Sequence, residues 1–111
     1  MTNFMARSAR NFMMIKAARE IRKEIEKAGL DNLKILAERG ISIVGTYLNG
    51  CSPQEKAIYR RDLGALLKMG VTPDMLLTEI ARQMPEISPI MKDKEGYKKA
   101  EEEKLLSFLK G

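Results

Sequence analysis

The single thiol, Cys51, stands directly before Ser52-Pro53, a pair that starts helices. The positive end of a helix macrodipole lowers a thiol pKa and makes a better nucleophile. The 111 residues contain no histidine, the side chain that most often takes a proton near neutral pH and most often binds metals. Cys51 therefore reads as a small packed residue, and an enzyme built on this chain would have to draw on Cys51, Tyr59 or Arg60. One cysteine allows neither an internal disulfide nor a cysteine-based zinc site, so a reducing, cytoplasmic setting is the expectation. The run Glu101-Glu102-Glu103 reads as a solvated helix surface, and no pair of acids sits in an apolar setting that would separate their pKa values. No phosphate-binding glycine loop and no calcium-loop spacing occurs. A non-enzymatic protein without cofactor or metal is expected.

Positive charge is the remaining chemical resource. The net charge is +5, and its placement is uneven. Residues 1–28 hold seven basic side chains against Glu20, Glu24 and Glu26, a local charge of +4. Arg7, Arg10, Lys16, Arg19, Lys23 and Lys27 can spread along one helical flank and displace counterions from a phosphate backbone, which is salt-sensitive, sequence-tolerant binding. The competing reading pairs the three acids with neighbouring Arg and Lys on a solvated helix. A basic stretch with Phe and Met also suits an anionic membrane surface, which those acids weaken. Leu66 to Leu76 resembles the turn of a helix-turn-helix, with Gly70 in the turn and Thr72 as a cap. Asp74 and Glu79 would then face phosphates, and an ordinary helical hairpin explains the same residues.

Apolar residues at the two ends exceed what a small core needs. Phe4, Met5, Phe12 and Met13 at the start, and Leu105, Leu106, Phe108 and Leu109 at the end, suggest burial against a second copy or another protein, and the competing reading packs them back on their own domain.

The elements that carry these residues are helices. The apolar share is 44% with only 5% aromatic, so Leu, Ile, Ala and eight Met must build the core. Positions 14, 18, 21, 25 and 28 make one helical stripe, and Gly29 ends it. Asp31 caps a second helix running to Asn49-Gly50, although β-branched residues within 41–48 also allow a strand. Gly40 and Gly45 within it mark a close helix crossing. Ser52, Pro53 and Glu55 make a capping box for a third helix whose buried side is Tyr59, Leu63, Leu66 and Leu67. Thr72-Pro73-Asp74 starts a fourth, with Leu76, Leu77, Ile80, Ala81 and Met84 inward. A last helix spans about 97–109, with Lys98/Glu102 and Lys99/Glu103 pairs on its exposed side.

The expected fold is all-α: one domain over 1–111, a bundle of about five helices with a hairpin around Gly70. Residues 1–13 read as a basic arm or a helical extension, and 85–96 as a connector that lets the last helix reach outward. No stretch is apolar for the ~20 residues of a membrane span, and no secretory signal pattern is present. The expected function is binding or assembly through self-association, and the alternative is a nucleic-acid-binding accessory protein.

Overall fold

Four short turns divide the chain, and three of them begin with a glycine whose backbone has to be left-handed. Gly29, Gly40 and Gly70 have φ of +91°, +75° and +91°, a region that costs any residue with a Cβ and that ends helices. After Gly40 and Gly70 an apolar residue closes the turn by donating its N–H back to the helix it leaves, Ile41 to Leu36 O at 2.8 Å and Val71 to Leu66 O at 3.0 Å. A hydroxyl then caps the next helix. Ser42 Oγ accepts from Gly45 N, and Thr72 Oγ1 accepts from Met75 N.

The computed structural model describes residues 2–27, 29–86, 88–89 and 95–111, and their side chains apart from those of 2–7, 30 and 95. It holds α1 (Thr2–Lys27), α2 (Leu30–Glu38), α3 (Ile43–Asn49), α4 (Pro53–Lys68), α5 (Pro73–Gln83) and α6 (Glu95–Lys110). There is no strand among the described residues. The all-α expectation holds, with six described helices rather than five. The reason is Gly40: its positive φ stops the expected second helix, and Ser42 starts another, so residues 43–49 are helical but belong to a separate element. Asp31 is not the cap of α2. Gly29 holds that position without a side-chain hydrogen bond, and Asp31 falls in the first turn, where a carboxylate still opposes the dipole. The Ser52–Glu55 capping box forms in both directions.

α1 is the long axis of the molecule. Its 26 residues reach about 39 Å at 1.5 Å per residue, which accounts for most of the 45 Å longest dimension. Ala18, Ile21 and Ile25 turn inward from it and Met14 packs at the edge. α5 lies along α1, tied by Gln83 Nε2 donating to Ile15 O at 3.2 Å. α3 and α4 also rest on α1, and α6 closes the other side against α3, α4 and α5. The turn at Gly70 joins α4 to α5, yet each packs mainly on α1 and α6, so the pair is less a hairpin than two struts on a common axis.

The last helix does not reach outward. Tyr97, Glu101, Leu105 and Phe108 form a buried stripe along α6, and Lys98 crosses to Asp74 of α5 at 2.6 Å instead of pairing with Glu102. Four and three residues separate members of that stripe, the spacing of one helix face. Within the connector, residues 87 and 90–94 lie outside the described residues.

Candidate functional site

Because α1 points Ala18, Ile21 and Ile25 at the core, its neighbouring face of Met13, Lys16 and Glu20 falls short of it, and Ala17 packs at the edge. That face walls an open groove of about 480 Å³, closed on the far side by Ile58, Tyr59 and Asp62 of α4. Two large apolar side chains lining it are left uncovered, Met13 at 37% exposed and Ile58 at 49%, and Phe12, next to Met13 in the chain, is 69% exposed. A second groove of about 550 Å³ lies between α1, α2 and α3, and Glu55 lines both. Its floor is Ile25, Leu33, Leu36 and Ile43, and among the described residues the charged side chains lining it are Glu24 and Glu55. The sequence reading did not single out Ile58. The available signal was its place one residue off the Tyr59–Leu63–Leu66 stripe, which turns it away from the core. Leu67, expected inside, is exposed for the same reason.

Where the grooves meet, the residues most capable of chemistry are engaged with each other. The Tyr47 and Tyr59 hydroxyls are 2.8 Å apart, and their rings meet edge to face at 6.0 Å between centroids. Burial pushes both phenols above their ordinary pKa, so near neutral pH both stay protonated and neither is a base. Cys51 is half-buried, and its Sγ donates to Tyr47 O at 3.4 Å. Arg60 Nε donates to Phe108 O at 2.9 Å, with the guanidinium 4.7 Å from the centre of the Phe108 ring. That contact gives a carbonyl in the last turn of α6, which otherwise accepts from Gly111 N at 3.2 Å, a second donor and an aromatic face for the cation.

A buried polar cluster joins the start of α3 to α6, and its members Ser42, Val44, Tyr97 and Glu101 line neither groove. Glu101 is 1% exposed, which corrects the reading of the acidic run as wholly solvated. Its carboxylate accepts from Val44 N at 3.1 Å, from Tyr97 Oη at 2.7 Å and from Ser42 Oγ. The Val44 amide in the first turn of α3 and the Ser42 cap are thus held by a side chain of α6. Burial raises the Glu101 pKa, and the hydrogen bonds from Ser42, Tyr97, Val44 and Gly45 pull it back only in part. Gly45 lets α6 come this close, since a Cβ there would stand 2.7 Å from Lys104 Cβ and from Ser42 Oγ. Of the two glycines expected at a helix crossing, Gly45 is at one, whereas Gly40 is a helix stop. Glu79 is a second covered carboxylate. Arg82 clasps it through two bonds of 2.7 and 2.6 Å and holds its carboxyl below the usual range.

The basic residues separate. Lys16, Arg19, Lys23 and Lys27 are exposed and lie three, four and four apart, so they share one flank of α1. Lys23 pairs with Glu20 at 3.8 Å and Lys27 with Glu24 at 3.3 Å. Arg10 leaves that flank, and its Nη1 lies beside Gly70 in the turn between α4 and α5. The side chains of Phe4, Met5 and Arg7 lie outside the described residues. Of the C-terminal apolar residues expected at an interface, Leu105 and Phe108 belong to the chain's own core and Leu109 packs against it, while Leu106 is exposed. The surplus apolar surface of the last helix was therefore overcounted, because Arg60 and α3 already cover most of it.

No helix among the described residues is long and apolar enough to cross a membrane. Among the same residues, no group of three or more metal-ligating side chains is placed to hold an ion. No protein-family model, curated protein or solved structure matches the chain.

Proposed function

We propose that this chain is a helical binding and assembly protein that works without turnover, and that it self-associates through the outer face of α1 and the adjoining edge of α4. The observation that carries the reading is the uncovered apolar pair of Met13 and Ile58 on the two walls of one groove, with exposed Phe12 next to Met13 in the chain. Large apolar side chains gathered in one place are characteristic of interaction surfaces, while scattered ones are ordinary. Of the two terminal surfaces considered from sequence, the N-terminal one remains and the C-terminal one is reduced to Leu106. Sedimentation velocity at micromolar concentration tests it. The expected mass is twice the 12.6 kDa of one chain, and Phe12→Asp with Ile58→Asp is expected to return the protein to a monomer. A wild-type protein that stays monomeric overturns the reading.

A second reading has its own support in the exposed flank of Lys16, Arg19, Lys23 and Lys27, whose spacing suits a phosphate backbone. Glu20 and Glu24 beside it compete for the same cations. Changing all four cations to Ala would lower the salt concentration that elutes the protein from duplex DNA. Equal elution of the two proteins ends this second reading.

A further inference from the structure

We infer that two copies meet by laying their α1 helices antiparallel across a two-fold axis near residue 18, so that Lys16 of each copy pairs with Glu20 of the other. The inference rests on the self-association proposed above and gives it a register. Closed dimers of identical chains use a two-fold axis, and each residue pair then occurs twice. Lys16 and Glu20 both stand on the α1 wall of the groove, one turn apart, and opposite in sign. An axis perpendicular to the helix at residue 18 exchanges their levels and gives two opposite-charge pairs. Moving the axis to residue 16 sets Lys16 against Lys16, and moving it to residue 20 sets Glu20 against Glu20. A parallel arrangement opposes every like charge on the face. Of these arrangements, the antiparallel one with its axis at 18 avoids the repulsions and forms both opposite-charge pairs.

The charge along the chain favours the same arrangement. Residues 8–19 contain Arg10, Lys16 and Arg19 and no acid, whereas residues 20–27 carry Glu20, Glu24 and Glu26 against Arg22, Lys23 and Lys27. In the antiparallel register, Phe12 and Met13 of each copy pass beyond Glu20 of the other and lie level with its Glu24 and Lys23. The basic, apolar-tipped half of one α1 thus covers the charge-balanced half of the other rather than a second basic half. The existing bond from Lys23 to Glu20 is an exposed one at 3.8 Å, a type that is weak and readily exchanged.

Charge reversal tests the register. Lys16→Glu gives two Glu–Glu contacts across the axis, and Glu20→Lys gives two Lys–Lys contacts. Each variant alone is expected to weaken association roughly tenfold or more, since like charges set against each other at an interface are strongly unfavourable. Mixed in equal amounts they regenerate both opposite-charge pairs, and a heterodimer of wild-type affinity is expected. Both positions are exposed, so far-UV circular dichroism should confirm unchanged helix content. A monomeric wild type overturns this inference together with the reading beneath it. A dimeric wild type whose association ignores both reversals, or a mixture that stays monomeric, overturns the register alone.

Discussion

Replacing Glu101 with Ala tests whether the buried cluster between α3 and α6 holds the fold together. The substitution leaves the Val44 N–H and the Ser42 and Tyr97 hydroxyls without their acceptor. A buried donor left unpaired costs about 1–3 kcal/mol, more than the net worth of the bond it lost. The two hydroxyls can rotate toward other acceptors and recover part of this, whereas the amide cannot. The expected loss is about 3–5 kcal/mol, a large fraction of the ~5–15 kcal/mol that stabilises a domain. For a chain of this length that corresponds to a fall in melting temperature of about 15 °C. Urea unfolding followed by circular dichroism gives the measurement, with Glu103→Ala as the comparison because Glu103 is exposed; surface changes of that kind stay within about 0.5 kcal/mol. Equal losses in the two variants would refute the assignment of Glu101 as a structural acceptor. The same residue has a pH signature. Its pKa is raised by burial, so the native state keeps this proton to higher pH than the unfolded state. The stability it contributes is therefore full in acid and declines as pH rises from the ordinary carboxylate value through the raised one. Glu101→Gln does not titrate, so the stability of wild type relative to this variant should fall from acid toward neutral pH. A flat or rising difference contradicts the burial argument.

The glycines make a pair of opposite expectations in the same unfolding assay. Gly45→Ala inserts a Cβ 2.7 Å from Lys104 Cβ and Ser42 Oγ, forcing α3 and α6 apart at a cost of about 1–3 kcal/mol. Gly64→Ala, within α4, meets nothing within 4 Å and needs no positive φ. It should stabilise by about 0.5–1 kcal/mol through helix propensity, and a loss there would show that α4 is packed more tightly at Gly64 than its surroundings indicate.

Helix starts and stops were legible because their chemistry is local. Ser52 with Glu55, Thr72 with Pro73, and glycines at 29 and 70 act on amides and carbonyls within four residues, and all appear where the sequence places them. Gly40 was misread for the opposite reason: a glycine inside a periodic stretch looks the same whether it ends a helix or lets another helix approach. Only the hydroxyl two residues later distinguishes the cases, since Ser42 repeats the position of Thr72 after Gly70. Glu101 was hidden by its neighbours, as three consecutive acids look solvated. Yet stepping back by four from Leu105 lands on Glu101 and then on Tyr97, so the apolar stripe of α6 passes through the acid, and the helix cannot bury Leu105 and Tyr97 without taking Glu101 with them. An acid so placed needs donors, and the start of a short helix offers amides lacking partners of their own. The groove face of α1 was the least legible feature. Whether Met13 is core or surface depends on how far α4 extends beside it, and α4 ends at a turn set by Gly70, fifty-seven residues later in the chain. What the sequence does state about that face is charge order, Lys16 before Glu20, and the proposed register follows from that order once the face is known to be uncovered.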